Sequence, residues 1–330
     1  MAVLNVTNPT LMDIIAATDP NGSISAVVEI LNETNEILLD MTMVEGNLTT
    51  GHKTTIRSGL PSATWRILYS GVQPTKSTRV PITDTIGMLE AYAEIDKAAA
   101  ELNGNTKEFR MDEDRAFIES MNQSMADTLF SGDESINPER FTGFEARFNN
   151  LAADNADNII DAGGTGNDNA SIWLIGWGKN TCHGIYPKGS KAGLSVEDLG
   201  QETLTDANGG HYEGYRTHYV WKNGLTVRDW RYVVRICNID RSALTSDAAT
   251  GANLPELAFQ AMDLVPNLSI ARFAYYCDRG VRTKWRQQAA ALTSQSTLTT
   301  EEVGGVVITK ANSIPIRRVD TLSADEARVV

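Results

Sequence analysis

The chain has 330 residues, 42% of them hydrophobic, enough to bury a sizeable core in one large domain or two ordinary ones, and this excludes a disordered polymer. Its 29 lysines and arginines stand against 42 aspartates and glutamates, a net charge of −13. That balance disfavours a protein that grips duplex DNA, because neutralising phosphates with basic groups supplies most of such affinity.

Three cysteines, Cys182, Cys237 and Cys277, are too few and too scattered for a disulfide framework and read as reduced thiols. The first residues, MAVLNVTNPTLMDII, lack a basic segment followed by an apolar stretch, so no secretory signal is expected. No run of about 18 apolar residues is present to span a bilayer. A cytosolic protein is expected.

In chain order, Ser23–Met41 follows an Asp-Pro-Asn-Gly turn signal and predicts one or two short helices, with Ile30, Leu31, Ile37, Leu38 and Leu39 among acidic residues. From Thr54 to Thr85 the chain is rich in Thr, Val and Ile and punctuated by Gly59, Pro61, Gly71 and Pro74. With Lys53 it carries Arg57, Arg66, Lys76 and Arg79 and no acid before Asp84. This predicts a long two-stranded excursion with little core of its own, leaning on another surface such as a neighbouring subunit.

Lys107–Phe130 predicts the clearest helix. Phe117, Met121, Met125 and Leu129 recur every four residues with Ile118 beside them, Asp112, Glu113 and Asp114 sit near the positive end of the dipole, and Gly132 supplies a stop. The methionine stripe reads as a core face rather than an adaptable groove. Asp161–Ser171 is Gly- and Asn-rich and marks a boundary or turn. Strand-like runs follow at SIWLIGW from Ser171, GIYP from Gly184, HYEGYRTHYVW from His211 and Leu225–Asp240. A helix is predicted around PELAFQAMDLV, with Pro255 in its first turn, then a buried strand over Ala271–Cys277, a helix from Gly280, and two C-terminal strands around a proline. The class is mixed α+β, with no βαβ rhythm.

The chain offers few groups suited to chemistry. Gly163, Gly164 and Gly166 lack the third glycine of a dinucleotide fingerprint, and GWGKNT around Lys179 fails as a phosphate loop at Trp173 and Asn180. There is no Gly-x-Ser-x-Gly and no His-Glu-x-x-His. Of the four histidines, His52 stands alone, Cys182 and His183 would face opposite sides of a strand, and so would His211 and His218. No catalytic residue, metal site or cofactor is expected. Arg140 and Arg147 flank Phe141 and Phe144; an ion pair, within the chain or across subunits, is the favoured reading over a phosphate site. Trp65 and Trp221 read as packing anchors rather than stacking platforms.

Taken in order, SGLPSATWRILYSGVQPTKS from Ser58, FRMDEDRAFIESMNQSMADTLFSGD from Phe109, PERFTGFEARF from Pro138, SIWLIGWG, GIYPKGSKAGL, DWRYVVRICNID from Asp229 and IPIRRVDTL from Ile314 carry a resemblance spanning most of the chain. The chain resembles the major capsid proteins of tailed double-stranded DNA phages with the Hong Kong 97-like fold, especially a podophage branch similar to the Bordetella phage BPP-1 group. The resemblance implies an N-terminal arm over 1–50, an extended loop over 51–85, a peripheral domain with a spine helix over 86–160, an axial domain over 161–300, and strands over 301–330 returning to the peripheral domain. It implies a non-enzymatic chain that assembles with itself into pentamers and hexamers. The expected partners are a separate scaffolding protein, a portal protein and a cement or decoration protein. The enclosed DNA would be held without sequence-specific binding, which an acidic inner wall suits. No membrane is involved, and neither an N-terminal scaffolding segment nor a Lys–Asn cross-link is expected.

Lys53, Arg57, Trp65, Arg66, Lys76, Arg79, Arg140 and Arg147 are the candidate intersubunit contacts. Two rival readings are an encapsulin-like cellular shell and a cytosolic hydrolase whose site is assembled from distant residues.

Overall fold

The computed structural model describes residues 35–102, 106–206, 208–291, 298–303, 306–322 and 325–330. The helices predicted between Ser23 and Met41 lie mostly outside them; their end is α1 (Ile37–Asp40). There follow β1 (Met43–Glu45), β2 (Gly51–Gly59), β3 (Thr78–Thr85), β4 (Gly87–Asp96), α2 (Lys97–Glu101), α3 (Thr106–Ser131) and α4 (Phe144–Arg147). Then come β5 (Ile159–Asp161), β6 (Asn169–Trp177), β7 (Cys182–Tyr186), β8 (Leu194–Thr205), β9 (His211–Val227) and β10 (Val233–Asp240). The order ends with α5 (Leu254–Leu264), β11 (Arg272–Cys277), α6 (Arg279–Ala291), β12 (Leu298–Val303), β13 (Val306–Ala311) and β14 (Ile314–Arg318). Among the described residues the chain divides into two units, one of Met88–Ala126 and Gly193–Lys222 and the other of Asn35–Gly87, Asp127–Ala192 and Asn223–Val330.

The first unit sets α3 against β4, β8 and the leading part of β9. Phe117, Met121 and Met125 of the helix stripe turn inward, where Met121 meets Ala93 and Tyr219, and the Phe117 ring stacks on Tyr219 at 6.3 Å. Ile118, expected in that stripe, is 41% exposed instead. One residue advances a helix by about 100°, which carries Ile118 off the line of Phe117. Strand β4 alternates, with Leu89, Ala91, Ala93 and Ile95 packed inward and Glu90 and Tyr92 turned to solvent. Strands β8 and β9 pair antiparallel from Leu194↔Trp221 to Thr205↔His211, with an irregularity between Asp198 and Gly200. Residues 193–222, inside the stretch expected to be axial, thus cluster with α3 and β4.

The second unit is organised by β6, buried on both faces along its whole length, which is why SIWLIGW reads as an unbroken apolar run. Its neighbours are β11 and β10, both antiparallel, and the sheet continues through β14 and β13 to β12 on one side and through β7 to β9 on the other. Ile172 and Leu174 face a core shared with Leu254 and Ala258 of α5 and Val281 and Trp285 of α6. Trp173 and Trp177 face the opposite way, into Phe130, Phe144 and Phe148, with ring centroids 5.7–6.1 Å apart. Helix α5 starts where expected: Asn253 accepts a hydrogen bond from the Glu256 N–H at 3.5 Å, and Pro255 occupies the first turn. Helix α3 stops at Gly132, where a Cβ would meet the carbonyl oxygens of Phe141 and Thr128, each at 2.4 Å.

Candidate assembly surface

The excursion is a hairpin. Strands β2 and β3 pair antiparallel from Gly51↔Thr85 to Gly59↔Thr78, and residues 60–77 at its tip form no regular strand. The chain supplies β-branched residues for the two arms and Gly59, Pro61, Gly71 and Pro74 where they end, so the ladder stops there. No apolar face is buried at the tip: Leu60, Trp65, Ile67, Leu68 and Tyr69 are each about four-fifths exposed or more. The alternating side chains thus have water on both sides, an arrangement that in soluble monomers is uncommon for so many large apolar groups in one place.

Lys53, Arg57, Arg66, Lys76 and Arg79 are all exposed, and none makes an ion pair with a described residue. Arg140 and Arg147 differ. Arg140 pairs with Asp127 at 3.0 Å, and Arg147 pairs with buried Asp84 at 2.9 Å while donating to the carbonyl oxygens of Leu225 and Thr142. Both ion pairs are within the chain. Trp221 packs against the Ala93, Met121 and Tyr219 cluster, whereas Trp65 is the fully exposed one.

Beside β2 lies a groove of about 600 Å³, lined by Thr55–Gly59 of the strand, by Leu60 after it and by Asn180, Arg228, Asp229, Trp230 and Arg231. Arg231 holds Asp229 with two hydrogen bonds, at 2.9 and 2.7 Å, and Arg228 donates to the Lys179 carbonyl at 3.0 Å. Lys179 therefore sits in a turn between β6 and β7, with no helix after it to receive a phosphate.

Sequence reasoning missed a second polar centre. Arg235 on β10 is buried against Glu326 at 2.8 Å, donates to Ser171 Oγ at 3.1 Å and to the Phe148 carbonyl at 2.8 Å, and lies over the Trp173 ring. Ser171 in turn donates its hydroxyl and its backbone N–H to Glu326. Asn238, with a positive φ of 56°, clasps Val329 through both its amide groups at 2.9 and 3.0 Å. Only Asn238's place after a β-branched run hinted at this, since Asn tolerates left-handed backbone. Glu145, beside the same centre, is pushed up to about 7 by burial and then by the Glu326 charge, against the pull of Arg235.

All three thiols are buried. Burial pushes Cys237 up to about 11 and Cys277 up to about 12, and Cys182 higher still. Among the described residues no group of three His, Cys, Asp or Glu side chains is placed to hold a metal ion, and no helix is long and apolar enough to cross a membrane.

The family model for major capsid protein GP7 matches residues 19–330. Over 100% of this chain and 99% of the other, the fold and sequence are similar to a chain of bacteriophage Epsilon15 solved by electron cryomicroscopy, with 36% identity and a TM-score of 0.79. More distant similarities include the bacteriophage JBD30 capsid, at 10% identity and a TM-score of 0.46 over 80% of this chain and 88% of that one. Another is the holo-SrpI encapsulin complex of Synechococcus elongatus PCC 7942, at 10% and 0.45 over 66% and 92%. No curated protein matches. Identity over the whole chain decides for a viral shell over a cellular compartment, and against a hydrolase. This chain belongs to the GP7 major capsid protein family: it is a tailed-phage major capsid protein of Hong Kong 97-like fold, a structural and non-enzymatic component of the virion shell.

Proposed function

We propose that the hairpin Gly51–Thr85 carries a lattice contact of the shell, its five cations meeting acidic surface on an adjacent copy while its apolar tip is covered by that copy. One observation supports this above the others: the tip exposes Leu60, Trp65, Ile67, Leu68 and Tyr69 beside cations that have no ion-pair partner among the described residues. Complementary charge of this kind fixes register and steers encounter more than it adds affinity. Each exposed pair contributes under about 1 kcal/mol, but a closed shell repeats it in every copy. Arg140 and Arg147, with partners inside the chain, act here as supports for the hairpin's neighbourhood rather than as lattice contacts.

In the same reading the unit built on α3, β4, β8 and the leading part of β9 is the peripheral domain, and the sheet with α5 and α6 is the axial domain. Copies form pentamers and hexamers on a separate scaffolding protein, with a portal protein at one vertex and a cement protein outside. The net charge of −13 supports a wall that encloses DNA without binding its sequence.

Arg66→Glu combined with Arg79→Glu should abolish shells while leaving the far-UV spectrum and the unfolding midpoint unchanged. Gradient sedimentation followed by negative-stain microscopy reads the result. Normal shells from the double variant would sink the assignment.

A further inference from the structure

The hairpin root meets the sheet through an unusually polar seam. Backbone is in direct contact there: a Cβ on Gly224 of β9 would stand 2.5 Å from the Thr85 carbonyl oxygen of β3. Within the seam Thr54, Asp84, His183 and Thr226 are buried, and Arg147 reaches in to Asp84. Thr54 Oγ1, Asp84 Oδ2, Arg147 Nε and Thr226 Oγ1 nevertheless have no hydrogen-bond partner among the described residues, and the His183 ring has only the Gly178 backbone to favour its charged form. Buried polar atoms are nearly always paired, so this many unpaired at one joint leave it closed by only a small margin.

We propose that the seam is a proton-sensitive joint, closed at neutral pH and released in acid, that frees the root of the hairpin from β7 and β9. The trigger is a pair of histidines on opposite sides of the joint. His52 of β2 meets His183 of β7 edge-on, ring centroids 5.8 Å apart, and sits directly across the hairpin from Asp84 of β3. Arg228, from the turn after β9, adds a fixed positive charge that disfavours protonation of both rings, and Asp84 is the acid that opposes it at His52. That carboxylate is already engaged by Arg147 of α4, so a proton on either ring adds a cation to a site that holds Arg228 and Arg147. Thr226, which faces His183 across the β7–β9 ladder, carries no charge.

Burial first, then His52 and Arg228, hold His183 down at about 4, and burial followed by Arg228 holds His52 below its ordinary value. A histidine depressed in the closed joint regains an ordinary value of 6.5 on opening, so the open form binds the proton more tightly. Closure is therefore complete above pH 6.5 and weakens as pH falls towards 4. For His183 alone the closed-to-open ratio changes by roughly 70-fold between pH 7.5 and 4.5, and by roughly 300-fold only well below pH 4. The joint is independent of what the hairpin touches on a neighbour.

Hydrogen exchange read by mass spectrometry on the full-length chain tests this at pH 7.5 and 4.5, with rates corrected for intrinsic exchange. Peptides covering Gly51–Gly59, Cys182–Tyr186 and Asn223–Val227 should lose protection in acid while those covering β6 and β11 keep theirs. His183→Gln should keep the root protected at pH 4.5. Equal protection of the wild-type root at both pH values, loss in His183→Gln as large as in wild type, or parallel loss in β6 and β11 would each overturn the proposal. Should His183→Gln lack protection in β6 even at pH 7.5, His52→Gln takes its place: it should move release to lower pH, and an unmoved midpoint overturns the proposal equally.

Discussion

Arg235→Met should cost about 3–5 kcal/mol of folding stability, because it leaves the Glu326 carboxylate buried without its cation. The pair itself contributes less than this number, since burying both charges is expensive; what the substitution exposes is the uncompensated partner. Three acceptors lose a donor at once: Glu326, Ser171 Oγ and the Phe148 carbonyl. A second change, Glu326→Leu, should recover much of the loss. Denaturant unfolding of the single and double variants measures both, and a single variant within about 0.5 kcal/mol of wild type would mean that water reaches the site. Glu145 reports on the same centre. As a carboxyl raised to about 7, it stabilises the fold at pH values below the usual carboxylate range, and that contribution is lost as pH rises through 7. Glu145→Gln should therefore flatten the decline in unfolding midpoint between pH 5 and 8.

Trp173→Ala should be comparably damaging, again about 3–5 kcal/mol. The indole is buried at the middle of β6, enclosed by Phe130, Phe144 and Phe148 on one side of the sheet, with the Arg235 guanidinium over its face. Its Nε1 has no hydrogen-bond partner among the described residues, so the loss is one of packing and of the cation over the ring, not of a hydrogen bond. Trp173→Phe keeps part of that packing and should cost distinctly less. Thermal unfolding separates the two; equal midpoints for both variants would show that ring size at this position is irrelevant.

The elements read correctly from sequence are those in which one local signal dominates. α3 announces itself by a four-residue apolar recurrence and acidic first turns, and β6 by an apolar run of strand length. Strand β4 gave no such signal. Six of the ten residues of GMLEAYAEID, Met88, Leu89, Glu90, Ala91, Ala93 and Glu94, are good helix formers, yet it is a strand because β9 pairs with it and α3 covers its inward face, a tertiary override of local preference. Strand β8 was missed for a related reason: most of its residues are exposed, so little apolar alternation survives. The cationic character of the hairpin was legible because an excursion without acids or core is unusual at any level of description, whereas Trp65, expected as a packing anchor, is exposed. The partners were not legible. Asp84 and Arg147 stand 63 positions apart, and Arg235 and Glu326 stand 91 apart, distances at which pairing is decided by sheet order alone.

The burial of all three thiols has a practical side. A thiolate is the species that reacts with maleimides and iodoacetamides, and Cys182, Cys237 and Cys277 are held out of reach and far from ionising at neutral pH. To such a reagent the folded chain is effectively cysteine-free. A single Cys introduced at an exposed tip position, Ser62 for instance, would be the one reactive thiol, so a fluorophore or spin label can be attached to the hairpin without first removing the native sulfurs.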